Sequence, residues 1–262
     1  MTRRFSDKRD PPAPPTAAAV RGVVSRAASA AVAVFFPISC AGCSTPDSAL
    51  CGDCRRELQA APSQQFLPGG TPVWAALPYQ GVLRNVILQL KENNRTDIAG
   101  YLKPLVSAVI VLAERDAERD AERNSGRDAE RSVLRAVGQP VQLICVPASA
   151  GAWRRRGYSP VELLVRRAGF AHARVLATTH GGSVQKSLTA AQRLVNRREA
   201  FRSRRPLNGR RFILIDDVLT TGATLGAAVE AIHGAGGEVV GVAVVAFTPR
   251  RNQRVSDFRT FS

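Results

Sequence analysis

Residues 212–225, FILIDDVLTTGATL, constrain the fold more than any other stretch of the chain. Four consecutive apolar residues, 212–215, read as a strand buried on both faces. Asp216 and Asp217 stand at its end, followed by a Thr- and Gly-rich turn and an apolar helical stretch through Ala235. A buried strand that delivers paired acids and a small-residue loop to a helix N-terminus suits a phosphorylated sugar. The loop amides and helix dipole favour an anion, and the hydroxyls of Thr220, Thr221 and Thr224 add donors. The Asp pair accepts hydrogen bonds from vicinal hydroxyls. A plain strand–turn–helix does not call for Asp-Asp followed by Thr-Thr-Gly-Ala-Thr. The missing Gly-Lys-Ser/Thr excludes a Walker-type phosphate loop.

A chain of 262 residues holds one good-sized domain and a small module. No run of about 18 apolar residues offers a membrane span. The apolar run 27–36 follows Arg21 and Arg26 as in a secretory leader, and Ile38-Ser39 before Cys40 faintly resembles a lipoprotein cleavage site. The downstream cysteines have a better use, described below, and a cytoplasmic location is expected. The formal charge is +16, with 37 basic against 21 acidic residues. Such a surplus attracts nucleic acid or phosphorylated substrates. Arginine enrichment from a high-GC genome produces the same surplus without function, so charge alone does not decide.

Composition divides the chain. Residues 1–34 are Pro-, Ala- and Arg-rich and read as disordered. Residues 35–60 carry the cysteines, and 61–112 form a connecting α/β region with a strand near 74–79 and helices at 82–90 and 98–113. Residues 113–135 begin with the tetrapeptide repeat AERDAERDAER, whose charges at helical spacing favour an extended, solvated helix without chemistry. The main domain, 136–249, shows strands at 141–146, 174–177, 212–215 and 238–246 alternating with helices at 160–168 and 224–234. That alternation predicts an α/β fold with a doubly wound parallel sheet. Residues 250–262 form a basic tail.

Cys40-Ala-Gly-Cys43 and Cys51-Gly-Asp-Cys54 are two C-x-x-C pairs separated by seven residues. Each pair places two thiolates on one metal knuckle, and four thiolates suit a tetrahedral, structural Zn2+ with no open position for water. Disulfides are the competing use, less suited to a reducing cytosol. The fifth cysteine, Cys145, lies in an apolar strand and reads as a small buried side chain.

Several strings occur together: Phe35-Phe36-Pro37 before the cysteines, LPYQGVLRNVILQLKENNRTDIAGYL at 77–102, VPASAGAWRRRGYSP at 146–160, and QKSLTAAQRLVNRREAF at 185–201. Their order resembles the ComF/GntX family, phosphoribosyltransferase-like proteins associated with bacterial DNA uptake. The resemblance implies a type I phosphoribosyltransferase-like sheet with a small N-terminal zinc-ribbon-like module. It implies phosphoribosyl pyrophosphate (PRPP) as ligand, with Mg2+ on its pyrophosphate. Asp216 and Asp217 would hold the ribose hydroxyls, and Thr220, Thr221, Gly222, Ala223 and Thr224 would cradle the 5-phosphate. Arg154 and Arg156 would lie near the pyrophosphate. Residues 185–196 would form a mobile flap, with Arg193 its phosphate contact, and Lys91 matches a family Lys. The chain departs from the family pattern after its R-G-aromatic string, where Ser159-Pro160 replaces Asn-Gln.

Against these roles stand plainer ones. Residues 154–156 also read as a solvated loop, and Arg197, Arg198, Arg202, Arg204 and Arg205 as a generic basic face. Trp153, Tyr158 and Phe201 offer stacking surfaces for bases, but core packing is the expected use. His172, His180 and His233 show no ligand spacing. Three functions remain open: a ComF-like factor handling single-stranded DNA with DNA-processing partners, a phosphoribosyltransferase acting on a small base, and a regulator that senses PRPP or a nucleotide.

Overall fold

The computed structural model describes residues 38–125, 140–179 and 200–249. The expectations for 1–37, 126–139, 180–199 and 250–262, including Arg193 and the flap, lie outside the described residues.

The apolar run at 212–215 becomes the centre of strand β6 (Arg211–Leu219). It lies between β7 (Glu238–Phe247) and β3 (Gln142–Cys145), both parallel to it. Strand β2 (Pro72–Pro78) pairs in parallel with the far side of β7, and β1 (Ser63–Phe66) closes that edge antiparallel to β2, giving the order β1-β2-β7-β6-β3. The region expected to be a connector, 61–112, therefore supplies two strands of the central sheet. β1 escapes sequence detection because its four residues, Ser-Gln-Gln-Phe, carry no apolar alternation.

Period-two alternation sends side chains to opposite faces. Ile213, Ile215, Ala243 and Val245 join one core with Trp74 and Ala76. Helices α2 (Gly81–Glu92), α3 (Lys103–Ser125) and α5 (Pro160–Ala168) cover this face. Phe212, Leu214, Val242 and Val244 face the other way, onto α6 (Ala223–Gly234). The sheet is doubly wound, as expected.

A two-stranded ribbon also lies on the α6 side: β4 (Leu176–Thr178) pairs antiparallel with β5 (Phe201–Ser203). The strand expected at 174–177 thus forms outside the main sheet. Its partner of three residues, flanked by arginines, is too short to show a period.

A 3-10 segment, Thr96–Leu102, runs directly into α3. Together, 96–123 pass the length and composition test for a membrane-spanning helix. Here Leu105, Val106, Val109 and Ile110 are buried in the core beneath the sheet. The tetrapeptide repeat continues this helix, and its first turn is packed rather than solvated. Alanines four residues apart fall on one helix face, and Ala113 and Ala117 are buried. Asp116 accepts hydrogen bonds from Trp74 Nε1 at 2.8 Å and Gln64 Nε2 at 3.2 Å. Arg211 donates to the Ala117 carbonyl at 2.9 Å. Beyond Glu118, Arg119 and Arg123 are exposed and make i,i+3 pairs with Asp116 and Asp120.

The two parts of α3 should respond differently to mutation. Ile110→Ala is expected to cost about 2–5 kcal/mol in urea denaturation. Arg119→Ala should change stability by no more than about 0.5 kcal/mol.

Candidate functional site

The β6 residues up to Ile215 are buried because neighbouring strands flank them and helices cover both faces. The chain then delivers Asp216 and Asp217 to the carboxyl end of the sheet. Asp217 is 8% exposed and accepts a hydrogen bond from Lys91 Nζ at 2.8 Å. Its own amide donates to Asp216 Oδ1 at 2.9 Å. Burial raises the Asp216 carboxyl to about 8, with the Asp217 charge adding to the effect and the Asp217 amide and Lys91 opposing it. One acid of the pair is thus balanced by a cation, while the other holds its proton more tightly than an ordinary carboxyl.

Beyond Leu219 the chain turns through Thr220 and Thr221, both exposed, into α6. Gly222 caps the helix with φ +79°, a left-handed conformation. A Cβ there would approach Leu67 Cδ2 to 3.1 Å, so the hairpin between β1 and β2 presses on this turn. Thr221 Oγ1 accepts from the Ala223 amide at 3.4 Å. Asp216, Asp217, Thr220, Thr221, Gly222, Ala223 and Thr224 are brought together at one strand end and one helix N-terminus. This arrangement offers carboxylate acceptors beside an anion-favouring helix start.

The neighbouring strand adds a second edge. Val146 N–H donates to the Ile215 carbonyl at 2.9 Å, which sets Pro147 beside the acid pair. From β3 the chain goes to the α5 face, and from β6 it goes to the α6 face. The crevice between their carboxyl ends is the topological switch point of this sheet, where ligands of open α/β folds bind.

Residues 154–156, whose plainer reading is a solvated loop, lie in helix α4 (Ala150–Arg156). Ser149 caps it by accepting from Ala152 N at 3.2 Å, and Gly157 ends it at φ +72°. Ser159 accepts from Glu162 N at 3.4 Å and Pro160 opens α5, so Ser-Pro serves here as a helix start.

Arg156 donates to the Lys91 carbonyl and pairs with Glu92 at 3.2 Å. Tyr158 donates its hydroxyl to the Leu90 carbonyl. Both side chains therefore satisfy the C-terminal end of α2, which carries Lys91. Arg154 and Trp153 line a cavity that reaches Pro147 and includes neither acid of the pair, and Phe201 is buried. The Lys91–Asp217 contact has no local sequence signal, because a lysine in the last turn of a helix is ordinary.

The four cysteine sulfurs, of Cys40, Cys43, Cys51 and Cys54, lie within 4.8 Å of one another, a cluster that could hold a metal ion. All are free thiols. Cys51 and Cys54 come from the start of α1 (Gly52–Glu57), and Cys40 and Cys43 from the preceding turn. Cys40 Sγ receives the amides of Gly42 at 3.4 Å and Cys51 at 3.3 Å. Burial opposes ionisation of Cys40, but the amides of Cys51, Cys43 and Gly42 prevail and lower it to about 6. Burial and the neighbouring thiols push Cys54 upward. A cation among the four is what allows all of them to ionise together. A Cβ at Gly42 would meet Cys54 Sγ at 2.6 Å, so the knuckle requires glycine. Cys145 is buried in β3, and desolvation raises its thiol beyond reactive range.

A family model described as the phosphoribosyl transferase domain matches residues 129–262. The chain is 28% identical over 200 residues to DNA utilization protein YhgH of Escherichia coli K12, an alignment covering 71% of this chain and 78% of that one. The protein of the same name from Salmonella typhimurium LT2 is 25% identical over 193 residues, covering 71% of this chain and 74% of that one.

The raised Asp216 carboxyl has a consequence for stability. Between about pH 4 and pH 8 the unfolded chain releases this proton more readily than the folded chain, so stability falls as pH rises through that window. Asp216→Asn is expected to unfold at higher urea than the wild type at pH 8, with the difference shrinking towards pH 4.

Proposed function

Because the chain belongs to the phosphoribosyl transferase domain family and has the ComF/GntX order of modules, we propose that it binds PRPP or a related phosphoribosyl ligand in the service of single-stranded DNA handling. The observation that carries the ligand is the acid pair at the end of β6, set against the Thr220–Thr224 turn at the start of α6. In this reading Asp216 and Asp217 accept hydrogen bonds from the ribose hydroxyls. The turn amides and threonine hydroxyls hold the 5-phosphate. The acids orient the sugar and do not attack it.

Mg2+ carried on the pyrophosphate would neutralise charge on the leaving group. Lys91 sets a protein cation at the acid pair. Arg193 is proposed as a further phosphate contact, and Arg154 as a basic flank. Arg156 holds α2 in place and so positions Lys91. Displacement of pyrophosphate by a nitrogen base is the second reading, favoured by the intact Asp-Asp and Thr-Thr-Gly-Ala-Thr string.

The DNA link is supported by what the relatives are named and by the basic surplus of the chain. The four-thiol cluster is proposed to hold structural Zn2+, since its donors are soft and leave no open position. A cytoplasmic location agrees with the reduced thiols and a metabolite ligand.

Calorimetric titration of PRPP with Mg2+ should show saturable binding by the wild type. Binding should weaken at least about ten-fold in Asp216→Asn/Asp217→Asn, roughly the loss of one charge-assisted hydrogen bond. Wild-type protein that takes up no PRPP would overturn the ligand assignment. Elemental analysis should return about one zinc per chain, lost in Cys40→Ser together with thermal stability. A zinc-free chain that unfolds at the same temperature would remove the metal from the account.

A further inference from the structure

A cavity of about 380 Å³ opens between α4 and the β4–β5 ribbon, lined by Ala148, Trp153, Arg154, Glu162, Thr178 and Arg204. Neither Asp216 nor Asp217 lines it. Its wall includes an aromatic residue that the fold does not bury: Trp153 is 49% exposed, whereas the other tryptophan, Trp74, is 5% exposed. An indole left half in water costs favourable burial. It is the side chain best suited to receive a flat aromatic ligand.

The charges around the indole specify the rest of that ligand. Arg154 follows it on α4, and Arg204 leaves the ribbon opposite, with its Nε on the Leu176 carbonyl at 3.4 Å. The cavity's one acid, Glu162, is bound by Arg174 at 2.6 Å and lies 3.8 Å from His172. Its charge is thus compensated, leaving the two arginines to set the sign of the opening. Outside the cavity, Arg155, Arg202 and Arg205 are exposed, and among the described residues no carboxylate pairs with them. Guanidinium groups without carboxylates, beside an open π face, match a base joined to phosphate. Basic residues continuing beyond the cavity match a chain of phosphates rather than one.

We propose that this cavity is a single-nucleotide subsite for single-stranded DNA. One base stacks on the Trp153 indole, its phosphate lies on Arg154 and Arg204, and the flanking strand runs over Arg155, Arg202 and Arg205. The inference rests on the DNA-handling part of the proposed function; the subsite shares Arg154 with the flank of the PRPP site but includes neither Asp216 nor Asp217.

The test uses oligodeoxythymidylate of about 12 nucleotides and the full-length protein. The oligomer should quench tryptophan emission saturably, because Trp153 is accessible and Trp74 is not. Trp153→Leu should abolish the quench and weaken binding of a fluorescently labelled oligomer about ten-fold, as expected for a lost stacking contact. Trp153→Phe should retain most of the affinity. Arg204→Gln should lower the slope of log K against log salt by about one. PRPP calorimetry should be unchanged in Trp153→Leu, a surface substitution that leaves the fold intact.

Oligomer binding that leaves emission unchanged, or that survives Trp153→Leu within two-fold, would overturn the subsite while sparing the DNA-handling reading. Absence of oligomer binding by anisotropy would overturn both. Quenching by thymidine monophosphate but not by the oligomer would replace the strand with a free nucleotide and overturn the proposal as stated.

Discussion

The contact on which the site depends is the ion pair between Lys91 and Asp217, 2.8 Å long and joining residues 126 positions apart. Two adjacent carboxylates at the end of a buried strand repel each other, and burial penalises each charge. Lys91 offsets one charge. Desolvation keeps the other acid protonated well above the usual carboxylate range. The α2 end that supplies Lys91 is held in turn: Arg156 binds the Lys91 carbonyl and Tyr158 the Leu90 carbonyl. The strand end, α2 and the segment after β3 therefore fix one another at the crevice where the two crossovers part.

What could be read in advance follows the range of each interaction. The β6–turn–α6 unit was legible because it is local: an apolar run, two acids, a small-residue turn and a helix occur in direct succession. Helix α5 forms at 160–168 as the alternation of elements predicts, and the structure shows Ser159 and Pro160 at its start and Gly169 at its end. The Cys pairs carry their geometry in their spacing.

Non-local contacts leave no such trace. Nothing near residue 91 signals an aspartate at 217, and nothing in the AERD repeat announces that Asp116 will receive the Trp74 indole. The repeat did encode an alanine every fourth residue, a packed stripe hidden by the surrounding charges. Core packing is the expected use of Trp153, yet its side chain is 49% exposed. Its exposure follows from how α4 sits against the body, which composition does not encode.

The cysteine cluster and the acid pair occupy different parts of the fold, yet α2 joins them. Asn85, within α2, donates to the Gly42 carbonyl at 2.8 Å. Just beyond α2, Arg95 donates to the Ser39 carbonyl at 3.0 Å. Cys40, Cys54 and Leu50 share one core with Leu83, Val86 and Leu90 of that helix. Arg55 on α1 binds the Tyr101 hydroxyl at 3.0 Å and stacks over its ring. The knuckle thus braces one side of α2 while Arg156 and Tyr158 brace its end, and Lys91 projects from the helix so held. A small module with few buried residues gains its stability chiefly from cross-linking. A metal held by the four thiols against α2 would turn a local restraint on the cysteines into a restraint on the position of the cation at Asp217.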